Sequence, residues 1–179
     1  KKGRYHDAQP TLNWEATEKA MLESSGSRRR WISKHVVGMC GVAKFRKIWK
    51  EWESDECPLC KEAQETAAHV WTCLDPRQEE IWKKSLDKVQ TWMQEYPTEP
   101  AMQRAIIDKL EQWRKQLPDQ PTTVRDPALW KAIEDQSEAG WRLLFEGSPV
   151  VAWEEIQQKY LIWLGSRKTG RRWAVALIK

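Results

Sequence analysis

Residues 75–118 read DPRQEEIWKKSLDKVQTWMQEYPTEPAMQRAIIDKLEQWRKQLP, and this stretch decides the fold class. Asp75 suits a helix N-cap, and Pro76 suits the first helical position, where no amide donor is needed. Trp82, Leu86, Val89, Trp92, Met93 and Tyr96 then fall on one helical face, and Pro97 stops the run. Thr98 is expected to open a second helix, with Met102, Ile106, Leu110, Trp113 and Leu117 on its apolar face and Pro118 at its end. Residues 76–118 are therefore expected to form a helical hairpin.

The same signals continue outward. Towards the C-terminus, Asp119–Arg125 holds Pro121 and reads as a linker. Asp126-Pro127 repeats the start signal, and Leu129, Trp130 and Ile133 follow at helical spacing. Trp141, Leu144 and Phe145 form a further short run closed by Gly147. Ser148-Pro149 is expected to start a helix carrying Val150, Trp153, Ile156, Tyr160 and Trp163, stopped by Gly165. A basic turn, Ser166–Gly170, leads into a last helix, so 126–179 reads as one C-terminal helical region.

Towards the N-terminus, residues 1–12 look irregular. Asn13 is expected to cap a helix running to about Ser24, with Gly26 as its stop, so 1–26 reads as a lead-in and short helix. From Ser27 to Trp52 the apolar residues Trp31, Ile32, Val36, Val37, Cys40, Ile48, Trp49 and Trp52 recur at helical spacing. Gly38 and Gly41 should split that run into two helices. With the cysteine-bearing stretch that follows, it forms a unit over 27–75. No long alternating segment calls for a sheet, and the gaps between tryptophans show no repeat period. The fold class expected is mostly α: a Trp-rich helical bundle with a small Cys-Cys-His-Cys module.

A chain of 179 residues is long enough to bury a core. With 40% hydrophobic and 31% charged residues it is neither a membrane protein nor fully disordered. No signal peptide and no initiator Met open it, and the last helix reads as cut off in mid-run, so a fragment of something longer is expected. Thirteen Trp against two Phe and three Tyr is the anomaly of the composition. Most of these Trp share a stripe with Leu, Ile or Val, so Trp82, Trp92, Trp113, Trp130 and Trp153 are read as core. Trp31 and Trp173 directly follow arginines and are also candidates for stacking on an unpaired base.

Charge is unevenly placed. Ser27–Trp52 holds eight Lys/Arg and one acid, and Ser166–Lys179 holds five Lys/Arg and no acid. Such blocks suit phosphate contact, or they are merely solvated faces. The candidate nucleic-acid contacts are Arg28, Arg29, Arg30, Lys34, Lys44, Arg46 and Lys47 in the first block. In the second they are Arg167, Lys168, Arg171 and Arg172.

Cys57, Cys60, His69 and Cys73 form the pattern C-x2-C-x8-H-x3-C. Two thiols on a tight turn can face one ion, and a His and a Cys four apart share a helical face. Thr66 is placed to cap that short helix. Four soft or borderline donors with no open position suit structural Zn2+. The competing reading, a Cys57/Cys60 redox pair, needs a βαβ setting that the sequence lacks. Cys40 is read as a core thiol. His6 and His35 have no positioned acid or nucleophile, and His35 is expected half-exposed in its basic helix.

The stretches Asp55-Glu56-Cys57-Pro58-Leu59-Cys60 and Glu65-Thr66-Ala67-Ala68-His69-Val70-Trp71-Thr72-Cys73 resemble a known family. It is the zinc-binding region downstream of the reverse transcriptase domain in eukaryotic non-LTR (LINE-type) retrotransposon proteins. The close match covers about twenty residues, and Arg28–Trp52, with its central Gly38, resembles the basic stretch that commonly precedes the family's zinc site. Many members have four residues between the His and the last Cys, where this chain has three. The resemblance implies the tail of a retroelement polyprotein, nuclear or cytoplasmic inside the cell. There it would hold RNA or target DNA for the polymerase domain upstream.

No catalytic machinery accompanies this. There is no Asp-Asp, hence no two-metal phosphoryl-transfer site. Gly165–Arg172 echoes a phosphate-binding loop but lacks its Lys and Ser/Thr and follows a helix. The sequence reading is a non-enzymatic, zinc-binding nucleic-acid accessory domain, with no membrane or small-molecule partner. The alternatives are a zinc-stabilised protein-interaction module and a degenerate element fragment.

Overall fold

The computed structural model describes residues 12–118 and 124–179, so the expected irregular start, His6 and most of the Asp119–Arg125 linker lie outside the described residues. The described chain is helical. The helices are α1 (Trp14–Glu23), α2 (Gly26–Val36), α3 (Ala43–Ile48), α4 (Ala67–Thr72) and α5 (Pro76–Glu95), followed by α6 (Pro100–Arg114), α7 (Pro127–Ala139), α8 (Trp141–Phe145), α9 (Val151–Trp163) and α10 (Gly170–Ile178). Among the described residues the only β pairing is two isolated bridges, Leu12 with Val150 and Glu56 with Gln64. No described helix is long and apolar enough to cross a membrane.

Local chemistry sets most boundaries. Asn13, Asp75 and Asp126 accept backbone amides as N-caps, and Pro76 and Pro127 stand at the first helical position. Some expectations shift: α9 begins at Val151 rather than at Ser148-Pro149, and α6 ends at Arg114, short of Leu117 and Pro118. Gly26 does not stop α1; it begins α2, capped by Ser25. Thr98 does not open α6, because Glu99 caps it and Pro100 occupies the first position. The Thr98 hydroxyl instead donates to the Tyr96 carbonyl and accepts from the Trp173 indole.

Two cores result. The large one draws on α1 and on α5 to α10, with Trp82, Met93, Met102, Ile106, Trp153 and Trp173 among its buried members. Trp92 and Trp113 are half-buried against it. The small one gathers Cys40, Val42 and Ala67, with Phe45 and Val70 against them. Cys40 is thus a core thiol, as its spacing indicates. Trp130 departs from expectation: it is 40% exposed, because its neighbour Leu129 takes the core-facing position of α7. Trp173 departs in the opposite sense. It is fully buried, so base stacking is not open to it.

α10 lies across α9 and α1. At the crossing, Gly170 leaves no room for a side chain: a Cβ there would overlap the Glu154 carbonyl oxygen and come within 3.0 Å of the Gln158 backbone nitrogen. The Gly170 amide donates to Gln158 Oε1 at 2.8 Å. Gly170→Ala is expected to cost about 1–3 kcal/mol through this overpacking. A urea denaturation midpoint indistinguishable from wild type would contradict the close crossing.

Candidate metal centre and basic surfaces

The cysteine module is built from short-range hydrogen bonds. Cys57 N–H donates to the Ala63 carbonyl at 2.8 Å and Lys61 N–H to the Cys57 carbonyl at 2.9 Å, closing the tight turn that holds Cys60. Lys61 sits in the left-handed region (φ 57°) to complete it. The Thr66 hydroxyl accepts the His69 amide at 3.0 Å, starting α4 at the step that points His69 and Cys73 the same way. Further out, Arg77 Nη2 donates to the Leu59 carbonyl at 3.0 Å while its Nε binds Asp75.

These contacts bring the four candidate ligands together. Their donor atoms all lie within 4.8 Å of one another. Cys57 Sγ is 4.0 Å from Cys73 Sγ, and Cys60 Sγ is 3.4 Å from His69 Nε2. Tetrahedral coordination with metal–sulfur bonds of about 2.3 Å requires sulfur–sulfur separations near 3.8 Å, so the group could hold one metal ion. Burial pushes the Cys73 thiol up to about 11. The Glu62 backbone amide, the largest cause, draws the Cys60 thiol down.

The module is tied to the basic helices on one side. The Glu65 carboxylate accepts the Ala43 amide at the start of α3, where Val42 has no capping side chain. Lys47 Nζ donates to Asp55 at 2.8 Å; with Gln64 this holds the Asp55 carboxyl down at about 2. On the other side it is tied to the large core. The Trp71 ring meets Phe145 edge-on at 4.5 Å, and Arg114 Nη2 donates to the Cys73 carbonyl at 3.1 Å. An aromatic path runs from Trp31 through His35 and Trp71 to Phe145, Trp82 and Trp113. His35 is therefore buried (8% exposed) rather than half-exposed. Burial, with Arg142 adding to it, lowers its imidazole pKa.

The eleven candidate nucleic-acid contacts do not form one surface. Arg28, Arg29, Arg30 and Lys34 are exposed along α2. Arg28 lies over the Trp31 ring and reaches the Ile178 carbonyl, while Arg29, Arg30 and Lys34 have no acidic partner among the described residues. On α3, Lys44 is half-buried, Arg46 covers Trp52 and pairs with Glu51, and Lys47 is occupied by Asp55. In the C-terminal block Arg167 and Arg172 are exposed, and Lys168 lies over the Tyr96 ring at 4.1 Å. Arg171 is consumed internally, binding Glu154 at 2.7 Å and also Glu15.

Sequence reasoning placed several aromatics in a core stripe that the fold leaves outside. Ile48, Trp49 and Trp52 are exposed, and so is Trp163, at 77%. The signal at Trp163 lay in the unbroken run Tyr160-Leu161-Ile162-Trp163-Leu164: a helix turns through about 100° per residue, so these cannot all face one core. Compared with known proteins, the chain matches no family model, no curated protein and no solved structure.

Proposed function

We propose that this chain is a non-catalytic, zinc-stabilised accessory domain of a retroelement reverse transcriptase protein, one that binds RNA or target DNA beside an upstream polymerase domain. The observation carrying this reading is the pairing of a closed donor set with free cations. Three thiols and an imidazole leave no position for a water, which suits structural rather than catalytic zinc. The same module caps α3 and meets α2 through Trp71 against Trp31 and His35, and Arg29, Arg30 and Lys34 of α2 have no acid to neutralise them among the described residues. Arginine forks can grip phosphate oxygens in pairs. The resemblance of residues 55–73 to the retrotransposon zinc region supports the same assignment.

Filter binding in rising salt tests it. Wild-type protein should bind RNA and single-stranded DNA with little sequence preference, weakening steeply as salt rises. Replacing Arg28, Arg29 and Arg30 together by Gln should remove up to three phosphate contacts and lower the log–log salt slope by about 2. No binding to either strand at low salt would defeat the proposal. The exposed Ile162-Trp163-Leu164 cluster would then favour the protein-docking alternative.

A further inference from the structure

We infer that the groove between α1 and α10 is a track for the phosphodiester backbone of a nucleic-acid strand; this rests on the nucleic-acid reading above and locates its site. The groove has a volume of about 370 Å³, and its walls carry Lys19 from α1, Lys168 from the turn before α10, Arg172 from α10 and Lys179 from its C-cap. The fold assembles these cations from places up to 160 residues apart in the chain. Glu23 is the one acid in the lining, and Lys179 already pairs with it at 3.2 Å. Lys19, Lys168 and Arg172 remain without an acidic partner among the described residues.

Three like charges converging on a concavity repel one another, so a polyanion is the chemistry that this arrangement complements. Two details argue against a merely solvated face. Tyr96 lies beneath Lys168, whose ammonium is 4.1 Å from the ring centre, so that charge is positioned by a cation–π contact rather than left free. Arg171, adjacent to Arg172, is turned away into Glu154 and Glu15, so the helix separates one structural arginine from one that faces the groove.

The span favours a strand over a single phosphate. Arg172 on α10 and Lys179 at its C-cap are seven residues apart, about 10 Å at 1.5 Å per residue. Even in a duplex one strand rises only about 3.4 Å along the axis per phosphate, so about 10 Å exceeds the reach of a single phosphate and spans at least two.

The test uses the whole chain loaded with zinc, with a labelled twenty-nucleotide single-stranded DNA and the RNA of the same sequence as probes. Lys19→Gln, Lys168→Gln and Arg172→Gln combined should weaken binding 10- to 100-fold at 50 mM salt and lower the salt slope by about 2. The single variant Lys19→Glu, on an exposed helix face, should weaken it several-fold and serves if the triple variant folds poorly. Wild-type binding that survives both variants within twofold would overturn the groove and leave the α2 surface as the site. Absence of binding by wild-type protein would instead overturn the functional reading itself. If inorganic phosphate binds as tightly as the strand, or if the groove cations matter only for anionic phospholipid vesicles, the strand track is also overturned.

Discussion

Removing the metal is expected to unfold residues 53–75 while α5 and α6 stay folded. The reason is the size of what a bound zinc ion would hold together. α4 has six residues, well short of the length at which an isolated helix is stable in water. Its core beyond the ligands is Cys40, Val42 and Ala67, with Phe45 and Val70 partly covered. Ordering each backbone residue costs about 1–2 kcal/mol, and a core that small cannot offset it over some twenty residues. Zinc binding in comparable peptides contributes about 10–16 kcal/mol, which can. The α5–α6 hairpin instead puts Trp82, Leu86, Met93, Met102 and Ile106 into the large core and needs no ion.

Cys60→Ala or a strong chelator should therefore accelerate amide hydrogen exchange across 53–75 and leave α5 protected. Tryptophan emission should shift as well, since Trp71 leaves its contact with Phe145. Acid should act like chelation. Protons compete with the ion for the thiolates and the imidazole, so zinc is held at neutral pH and released as pH falls. Protein purified reduced, without chelator, should carry one zinc per chain. Metal-free protein with exchange in 53–75 as slow as in α5 would sink this expectation.

What the sequence disclosed divides by the range of the interaction. The candidate metal ligands were legible because all four lie within seventeen residues and their turns close locally. Asp75-Pro76 and Asp126-Pro127 were legible because a cap needs only its own first turn. The same logic favoured Thr98 as a cap, yet Pro100 fixes the first position and makes Glu99 the cap. Periodicity could not choose between Leu129 and Trp130, because adjacent residues differ by about 100° and either could face inward. Long-range partners were invisible. Nothing near Arg171 announces that Glu15 and Glu154 will neutralise it, nor that Trp173 will donate to Thr98 in the core. The groove of Lys19, Lys168, Arg172 and Lys179 joins both ends of the chain and has no sequence signature.

Arg114→Ala is expected to be the most damaging single substitution in the bundle, at about 3–5 kcal/mol. Arg114 is fully buried, a position where a charge persists only with partners. It pairs with Glu79 across the α5–α6 hairpin, lies over the Trp82 ring at 5.3 Å and donates to the Cys73 carbonyl. Alanine would leave a cavity beside Trp82, an unmatched carbonyl at Cys73 and an unpaired Glu79 carboxylate. The last loss is the mildest, since Glu79 keeps contact with water. Arg114→Met should therefore cost less than alanine, because its stem fills most of the cavity. Arg114→Lys should not restore the wild type, because one ammonium cannot reproduce the planar fork that serves Glu79 and Cys73 together. At present Arg114 holds the Glu79 carboxyl below its ordinary range. The pair's contribution is thus present at neutral pH and lost as acid protonates Glu79. The contact with Cys73 would extend the effect to a bound ion. Without it the last ligand's backbone loses its outer support, and zinc affinity should fall about tenfold. Urea unfolding of the zinc-loaded protein and zinc transfer to a competing chelator measure the two consequences separately. A change below about 1 kcal/mol together with unchanged zinc affinity would show that Arg114 neither anchors the hairpin nor couples it to the metal centre.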